Sequence, residues 1–208
     1  MVKTIGLNFQ YPGGEPFNFP DIELNAKEHV VILGPSGVGK TTLLHLLSGI
    51  LPASSGTIVI DDTEITSLDR KTLDTFRGAH IGLVFQQYHF IKSLSVEENL
   101  QLRQYFPSKL TARERREGMA ERLGLADHLK KKVTQLSQGQ QQRLSIALGL
   151  IHEPKVVFAD EPTSNLDDTN CNKVLNLLKE EAKLCGSSLV IITHDQRVTP
   201  HFKNQIVL

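Results

Sequence analysis

Apolar residues along this chain keep two rhythms in alternation. VKTIGLNFQY, EPFNFPDIELN and HVVIL open it as short β-like runs, the last ending at Gly34. KTTLLHLLSGI then carries an apolar face at helical spacing. TIVIDD returns to strand, SLDRKTLDTFRG reads as a charged helix, and IGLVFQ is another apolar strand. From about residue 87 to residue 136 the pattern predicts helices without strands. Within that stretch Thr111 and Glu114 have the spacing of a capping box, and LADHLKKK reads as a short basic helix end. Strand and helix then alternate again through KVVFADE, a helix from about Asp167 to Leu184, SLVIITH and a final QIVL. Near-continuous apolar strands separated by helices imply a mainly parallel sheet covered on both faces, an α/β fold. The expected organisation is one domain over 1–208, with a core of 1–86 and 137–208 and an inserted helical subdomain at 87–136.

Composition narrows the classes. At 208 residues the chain is long enough for one sizeable core. Lys plus Arg and Asp plus Glu both number 23, so no overall field would hold nucleic acid or an anionic bilayer. No apolar run approaches the ~20 residues that span a bilayer, and no signal-peptide core opens the chain, which predicts a cytosolic protein. Cys171 and Cys185 fall on one predicted helix, roughly 21 Å apart at about 1.5 Å per residue, too far to pair.

Three strand ends carry candidate chemistry. GPSGVGKT, from Gly34 through Pro35, Ser36, Gly37, Val38, Gly39 and Lys40 to Thr41, fits G-x-x-x-x-G-K-[ST] between a buried strand and a helix. Backbone N–H groups of such a loop curl around phosphate oxygens, the helix N-terminus favours the anion, Lys40 reaches the β- and γ-phosphates, and Thr41 places its hydroxyl on Mg2+. VVFADE delivers Asp160 and Glu161 to a second strand end, where parallel sheets gather their ligands. Asp160 suits the Mg2+ shell, and Glu161 is a candidate general base for in-line attack of water on the γ-phosphate; alone, such a pair can also merely cap a turn. SLVIITH ends on His194, either structural or a γ-phosphate sensor able to donate a hydrogen bond in either charge state.

These pieces fit many P-loop NTPases. What separates them is LSQGQ followed by QQR ahead of VVFADEPTSNLD, which closely resembles the signature of ABC-type ATPases, over essentially the whole chain. The resemblance implies an ABC ATPase fold with an N-terminal antiparallel β segment. It implies ATP and Mg2+ as cofactors, with Tyr11 stacking on adenine and Thr42 completing the phosphate loop. Gln86 is then the Q-loop glutamine beside the metal, Leu136 to Gln140 the signature, Ser164 to Asp167 the D-loop, and His194 the switch histidine. Ser137 and Gln140 have capping-box spacing, so Ser137 begins a helix continuing through Leu150, and its Oγ with the Gly139 N–H also makes an anion site. In the family that signature closes over ATP held by a second subunit.

Two departures stand out: Gln138 where the family commonly has Gly, and Leu148 and Gly149 where it commonly has Arg and Ala. Gln138 is tolerable as a first helical residue whose side chain points away from phosphate, and Gly149 should cost the helix up to about 1 kcal/mol relative to Ala. The resemblance implies a homodimer docked on separate transmembrane permease subunits, at the inner face of the membrane only through them, most similar to the lipoprotein-release, macrolide-export and cell-division group. Phe90, Ile91 and Leu94 are candidates to line the permease groove, or equally to pack the helical lobe. An ATPase driving a membrane partner mechanically, and a soluble non-transport ABC ATPase, are the competing readings.

Overall fold

The computed structural model describes residues 1–105, 113–164 and 166–208. Two five-stranded sheets organise it. The antiparallel sheet has the order β2-β1-β5-β6, with β3 on β1; these are β1 (Val2–Gln10), β2 (Pro16–Asn18), β3 (Glu23–Leu24), β5 (Ser55–Ile60) and β6 (Thr63–Glu64). The parallel sheet runs β10-β4-β9-β8-β7, from β4 (His29–Leu33), β7 (Ile81–Val84), β8 (Val156–Asp160), β9 (Ser188–Thr193) and β10 (Asn204–Val207). The fold is thus the α/β arrangement expected from the alternating pattern. EPFNFPDIELN divides into two short strands rather than one, and Pro20, which lacks an N–H for a ladder, lies in the break.

Strands β8 and β9 are buried at every position, which is why their sequences read as unbroken apolar runs. Helix α1 (Lys40–Leu47) covers one face of the parallel sheet, with Leu43, Leu44, Leu46 and Leu47 in a core shared with the antiparallel sheet. The other face packs on α5 (Gln138–Leu150) and α6 (Asp168–Cys185), whose Leu144, Leu150, Leu175 and Leu178 are fully buried. Cys171 and Cys185 both lie on α6 as free thiols.

Between β7 and α5 the described residues hold α3 (Val96–Tyr105), α4 (Arg113–Arg122) and short 3-10 turns, with a single isolated bridge from Ser95 to Lys132. LADHLKKK forms only a 3-10 turn, Ala126–His128. Thr111 of the expected capping box lies outside the described residues, as does Asn165, while Glu114 stands in the first turn of α4. Three arginines fasten this helical segment to the core. Arg103 donates to the carbonyls of Gly78 and Ile81, Arg115 to those of Ile151 and Leu150, and Arg122 forks onto Glu181 at 2.6 and 3.0 Å. Burial lowers the Arg103 guanidinium to about 10.

Register brings the chemistry to one edge. Leu33 pairs with Thr193, Ile192 with Asp160, and Ala159 with Val84. The loop after β4, the acidic pair ending β8, the Thr193–His194 end of β9 and the Gln86 stretch after β7 therefore emerge side by side at the carboxyl ends of the strands, where α/β sheets bind ligands.

Candidate functional site

A cavity of about 350 Å³ opens at this edge. It is lined by Ser36, Gly37, Gly39, Lys40, Thr41 and Thr42 from the glycine-rich loop and α1, joined by Gln86, Glu161 and His194. Nine residues singled out from the sequence thus share one space. Gly39, at the N-cap of α1, has φ 99°, and a Cβ there would lie 2.7 Å from the Phe17 ring. Backbone conformation and close approach both require glycine at that point.

Phe17 also lines the cavity, and sequence reasoning missed it. Its signal was the FNF alternation on β2, which sends Phe17 and Phe19 to one face. Tyr11 does not line the cavity but adjoins it: its hydroxyl meets Thr42 Oγ1 at 3.2 Å, and its ring stands at 88° to Phe17, with centroids 6.3 Å apart. The two rings form an open aromatic corner beside the phosphate loop, with Tyr11 42% exposed.

Lys40 is almost buried, and its ammonium donates to the carbonyls of Gly34 and Pro35, 2.8 Å each, so the loop itself aims the charge at its own centre. Glu161 Oε1 lies 3.9 Å from the same nitrogen. Thr41 Oγ1 donates to Asp160 Oδ2 at 3.2 Å, while Asp160 Oδ1 is buried without a hydrogen-bond partner. Burial pushes the Asp160 carboxyl above its ordinary range, and the neighbouring Glu161 adds to this against the Thr41 hydrogen bond. An orphaned carboxylate oxygen beside a threonine hydroxyl and a phosphate loop suits a hard cation such as Mg2+, which takes few protein oxygens together with phosphate.

Glu161 has φ 46°, a left-handed conformation uncommon for a side chain of this size, and its N–H bonds the Ile192 carbonyl at 2.8 Å. The twist carries its carboxylate across to β9. There Oε1 accepts from the His194 backbone N–H at 3.1 Å and from Nδ1 at 2.7 Å, and Oε2 accepts from Thr193 Oγ1 at 2.7 Å. This qualifies the expectation for His194. With Nδ1–H spent on Glu161, Nε2 can donate to a phosphate only from the imidazolium form, because neutral imidazole has a single N–H.

Ser137, Gly139 and Gln140 stand apart from this cavity, at the start of α5. Ser137 is the N-cap (φ −64°, ψ 161°), and the capping box is complete: Gln140 N–H donates to Ser137 Oγ at 3.3 Å, and Ser137 N–H donates to Gln140 Oε1 at 2.9 Å. The Gln140 amide NH2 then faces His128 Nε2 at 2.7 Å, so His128 accepts there. Gln138 is exposed and borders a separate space of about 80 Å³ with Gln86, Gln142 and Glu161, and it is not among the residues lining the phosphate-loop cavity. Gly149 sits against β7: a Cβ on it would lie 2.8 Å from Val84 Cγ2, and a Cβ on Gly82 would lie 2.1 Å from the Gly149 carbonyl oxygen. The helix departure at Gly149 is therefore a packing device.

A groove of about 550 Å³ lies between α2 (Arg70–His80), the stretch after β7 and α3. Leu83, Phe85, Phe90, Ile91, Leu102 and Leu148 supply its apolar lining. Leu94 is half-buried and is not among the lining residues, and Phe90 also packs against the main core.

A phosphate loop, an acidic strand end and a histidine strand end on a parallel sheet, with a capped signature helix elsewhere, define a P-loop nucleotide hydrolase of the cassette type. The family model described as ABC transporter matches residues 17–164, and the chain belongs to that family. Its relatives include the lipoprotein-releasing system ATP-binding protein LolD of Legionella pneumophila strain Paris, 36% identical over 190 residues, or 90% of this chain and 84% of LolD. The bacitracin export ATP-binding protein BceA of Halalkalibacterium halodurans is 39% identical over 181 residues, 84% of this chain and 70% of BceA. Among solved structures, the dimeric post-hydrolysis state of the ATP-binding cassette MJ0796 with ADP and Pi superposes at TM-score 0.86 and 33% identity, covering 100% of this chain and 94% of that one. CbiO1 of Clostridium perfringens, part of the cbiONQ transporter complex, superposes at 0.84 and 32% identity, over 99% and 83% of the two chains. The chain is an ABC transporter ATP-binding subunit and an ATPase.

Proposed function

We propose that two copies of this chain close around two ATP molecules and that hydrolysis drives separate transmembrane subunits. In this reading Tyr11 stacks on adenine and the 34–42 loop holds the phosphates. Thr41, Asp160 and Gln86 hold Mg2+, which neutralises developing phosphate charge when bound. Glu161 orients and deprotonates the attacking water, and His194 senses the γ-phosphate. Ser137, Gly139 and Gln140 complete the site on the neighbouring copy. The observation that supports this most directly is the split itself: nine candidate residues converge on one cavity while the signature helix start lies outside it, available to a second copy.

The segment 87–136 acts as a helical subdomain, and the groove against Phe85, Phe90 and Leu148 receives a cytoplasmic segment of the permease, placing the chain at the inner membrane face through that contact. Among the described residues no helix is long and apolar enough to cross a membrane. Glu161→Gln tests the core of the reading. It should lower ATP turnover by about 100-fold or more, the scale of general-base loss, while an ATP-dependent dimer accumulates in size-exclusion chromatography. Turnover near that of the unsubstituted protein would remove Glu161 as the base, and failure to co-purify with any membrane protein would remove the permease.

A further inference from the structure

The two oxygens of the Glu161 carboxylate have different keepers. Oε1 is shared by the His194 backbone N–H, the imidazole Nδ1 and, at 3.9 Å, the Lys40 ammonium. Oε2 is held by the Thr193 hydroxyl at 2.7 Å. Thr193 is fully buried at the end of β9, whereas the His194 side chain is 57% exposed. The imidazole stands largely in solvent; the hydroxyl is enclosed.

The direction of the Thr193 proton follows from its other neighbour. Asp195 N–H donates to Thr193 Oγ1 at 3.0 Å, which occupies an oxygen lone pair and turns the single hydroxyl proton toward Glu161. Asp195 is itself fixed, since Arg197 forks onto both its carboxylate oxygens at 2.9 and 2.8 Å and Thr163 Oγ1 donates to Oδ2 at 3.0 Å. A chain of oriented donors thus runs from Arg197 through Asp195 and Thr193 to the left-handed Glu161.

We infer that Thr193 is a positioning residue for Glu161: its buried hydroxyl pins Oε2, so the aim of the carboxylate does not depend on the exposed His194 imidazole alone. The inference rests on Glu161 being the base. Thr193→Val preserves shape and burial but removes the proton, and Thr193→Ser preserves the hydroxyl. The Val variant should lose about tenfold in kcat for ATP, equivalent to about 1.4 kcal/mol, with KM within about twofold, and the Ser variant should stay within about threefold of the unsubstituted protein. In a Glu161→Gln background Thr193→Val should add no further loss, because the group it positions is gone. An unchanged kcat, a rise in KM alone, or a loss that multiplies on Glu161→Gln would overturn the inference. Thr193→Ala gives the same comparison if the Val variant does not fold. Near-normal turnover in Glu161→Gln alone would instead remove the base assignment beneath it, so the two failures are distinct.

Discussion

Gly82→Ala should be among the costliest single-methyl additions to this protein. The new Cβ would stand 2.1 Å from the Gly149 carbonyl oxygen, 3.0 Å from Pro154 Cγ and 3.2 Å from the Gly149 carbonyl carbon. Carbon–oxygen contacts normally begin at about 3.3 Å, so α5 must withdraw from β7 by about 1 Å. Main chain cannot yield as a side-chain rotor does, and the departing half of α5 carries Ile146, Ala147 and Leu150, all fully buried. Overpacking costs about 1–3 kcal/mol, and an obstacle of backbone on a buried helix belongs at the upper end, about 3 kcal/mol. For a chain of this length that lowers the melting temperature by roughly 6–12 °C. Gly149→Ala is the matched control. Its Cβ meets Val84 Cγ2 at 2.8 Å and the Leu83 carbonyl at 3.2 Å, a milder clash opposed by up to about 1 kcal/mol of helix propensity, so its stability should stay within about 1 kcal/mol of the unsubstituted protein. Urea denaturation at constant m separates the two, and ATP turnover should fall in Gly82→Ala because α5 carries Ser137. A cost below about 1 kcal/mol for Gly82→Ala, or a reversed ranking, would refute the close approach of α5 to β7.

Arg122→Ala leaves the buried Glu181 carboxylate, 2% exposed, without its fork, and should cost about 2 kcal/mol, discounted because the Arg122 side chain is 44% exposed; adding Glu181→Leu should recover part of the loss, and no recovery in thermal melts would contradict the pairing. The Arg197 hydrogen bond, chief among several, holds the Asp195 carboxyl below its ordinary range, so its stabilisation is present above the unfolded value near ~3.9 and is lost as pH falls through the folded one. Asp195→Asn should therefore lower the melting temperature at pH 7, with a gap to the parent that narrows only below about pH 4; a gap that is flat down to pH 2 would exclude the linkage. Ser137→Ala should cost at most about 1 kcal/mol of stability yet impair turnover more than Gln138→Gly, since the Ser137 hydroxyl sits at the capped start of α5 while the Gln138 side chain is exposed and makes no hydrogen bond there; the opposite ranking in a steady-state ATPase assay would misplace the phosphate contact.

Local chemistry and the gathering of the strand ends were legible in the sequence, and the individual side-chain contacts between elements were not. GPSGVGKT, the apolar runs of β4, β8 and β9 and the Ser137–Gln140 box are all decided within a few residues, by glycine conformation, burial on both faces and capping geometry. Phe17 entered the cavity because β1 and β2 pair antiparallel and fold FNF over Gly39, a matter of tertiary register. The Thr193 hydroxyl reaches Glu161 across 32 positions and depends on a left-handed φ that no periodicity announces. Gly149 read as a weak point of a helix because propensity counts only the helix; its partner Gly82 lies on a different element. Leu94 followed Phe90 and Ile91 in sequence but turned away through its N–H bond to the Ile91 carbonyl, 3.0 Å.

Helix α5 joins these separate features mechanically. Its 13 residues span roughly 20 Å and carry, in order, the Ser137 cap, the Gln142 amide that donates to the Pro162 carbonyl at 2.7 Å, the Leu148 wall of the groove and Gly149 against β7. Pro162 directly follows Glu161, so the Gln142 bond ties the middle of the helix to the backbone turn that carries the Glu161 carboxylate. A rigid helix cannot shift at Leu148 without shifting at Ser137, and any tilt must strain the Gln142–Pro162 link or carry the Glu161 turn along with it. Under the proposed function, pressure in the groove, placement of the signature over a neighbour's ATP and the setting of Glu161 are three readings of one displacement. The contact at Gly82 and Gly149 is the place where that displacement is held to the sheet.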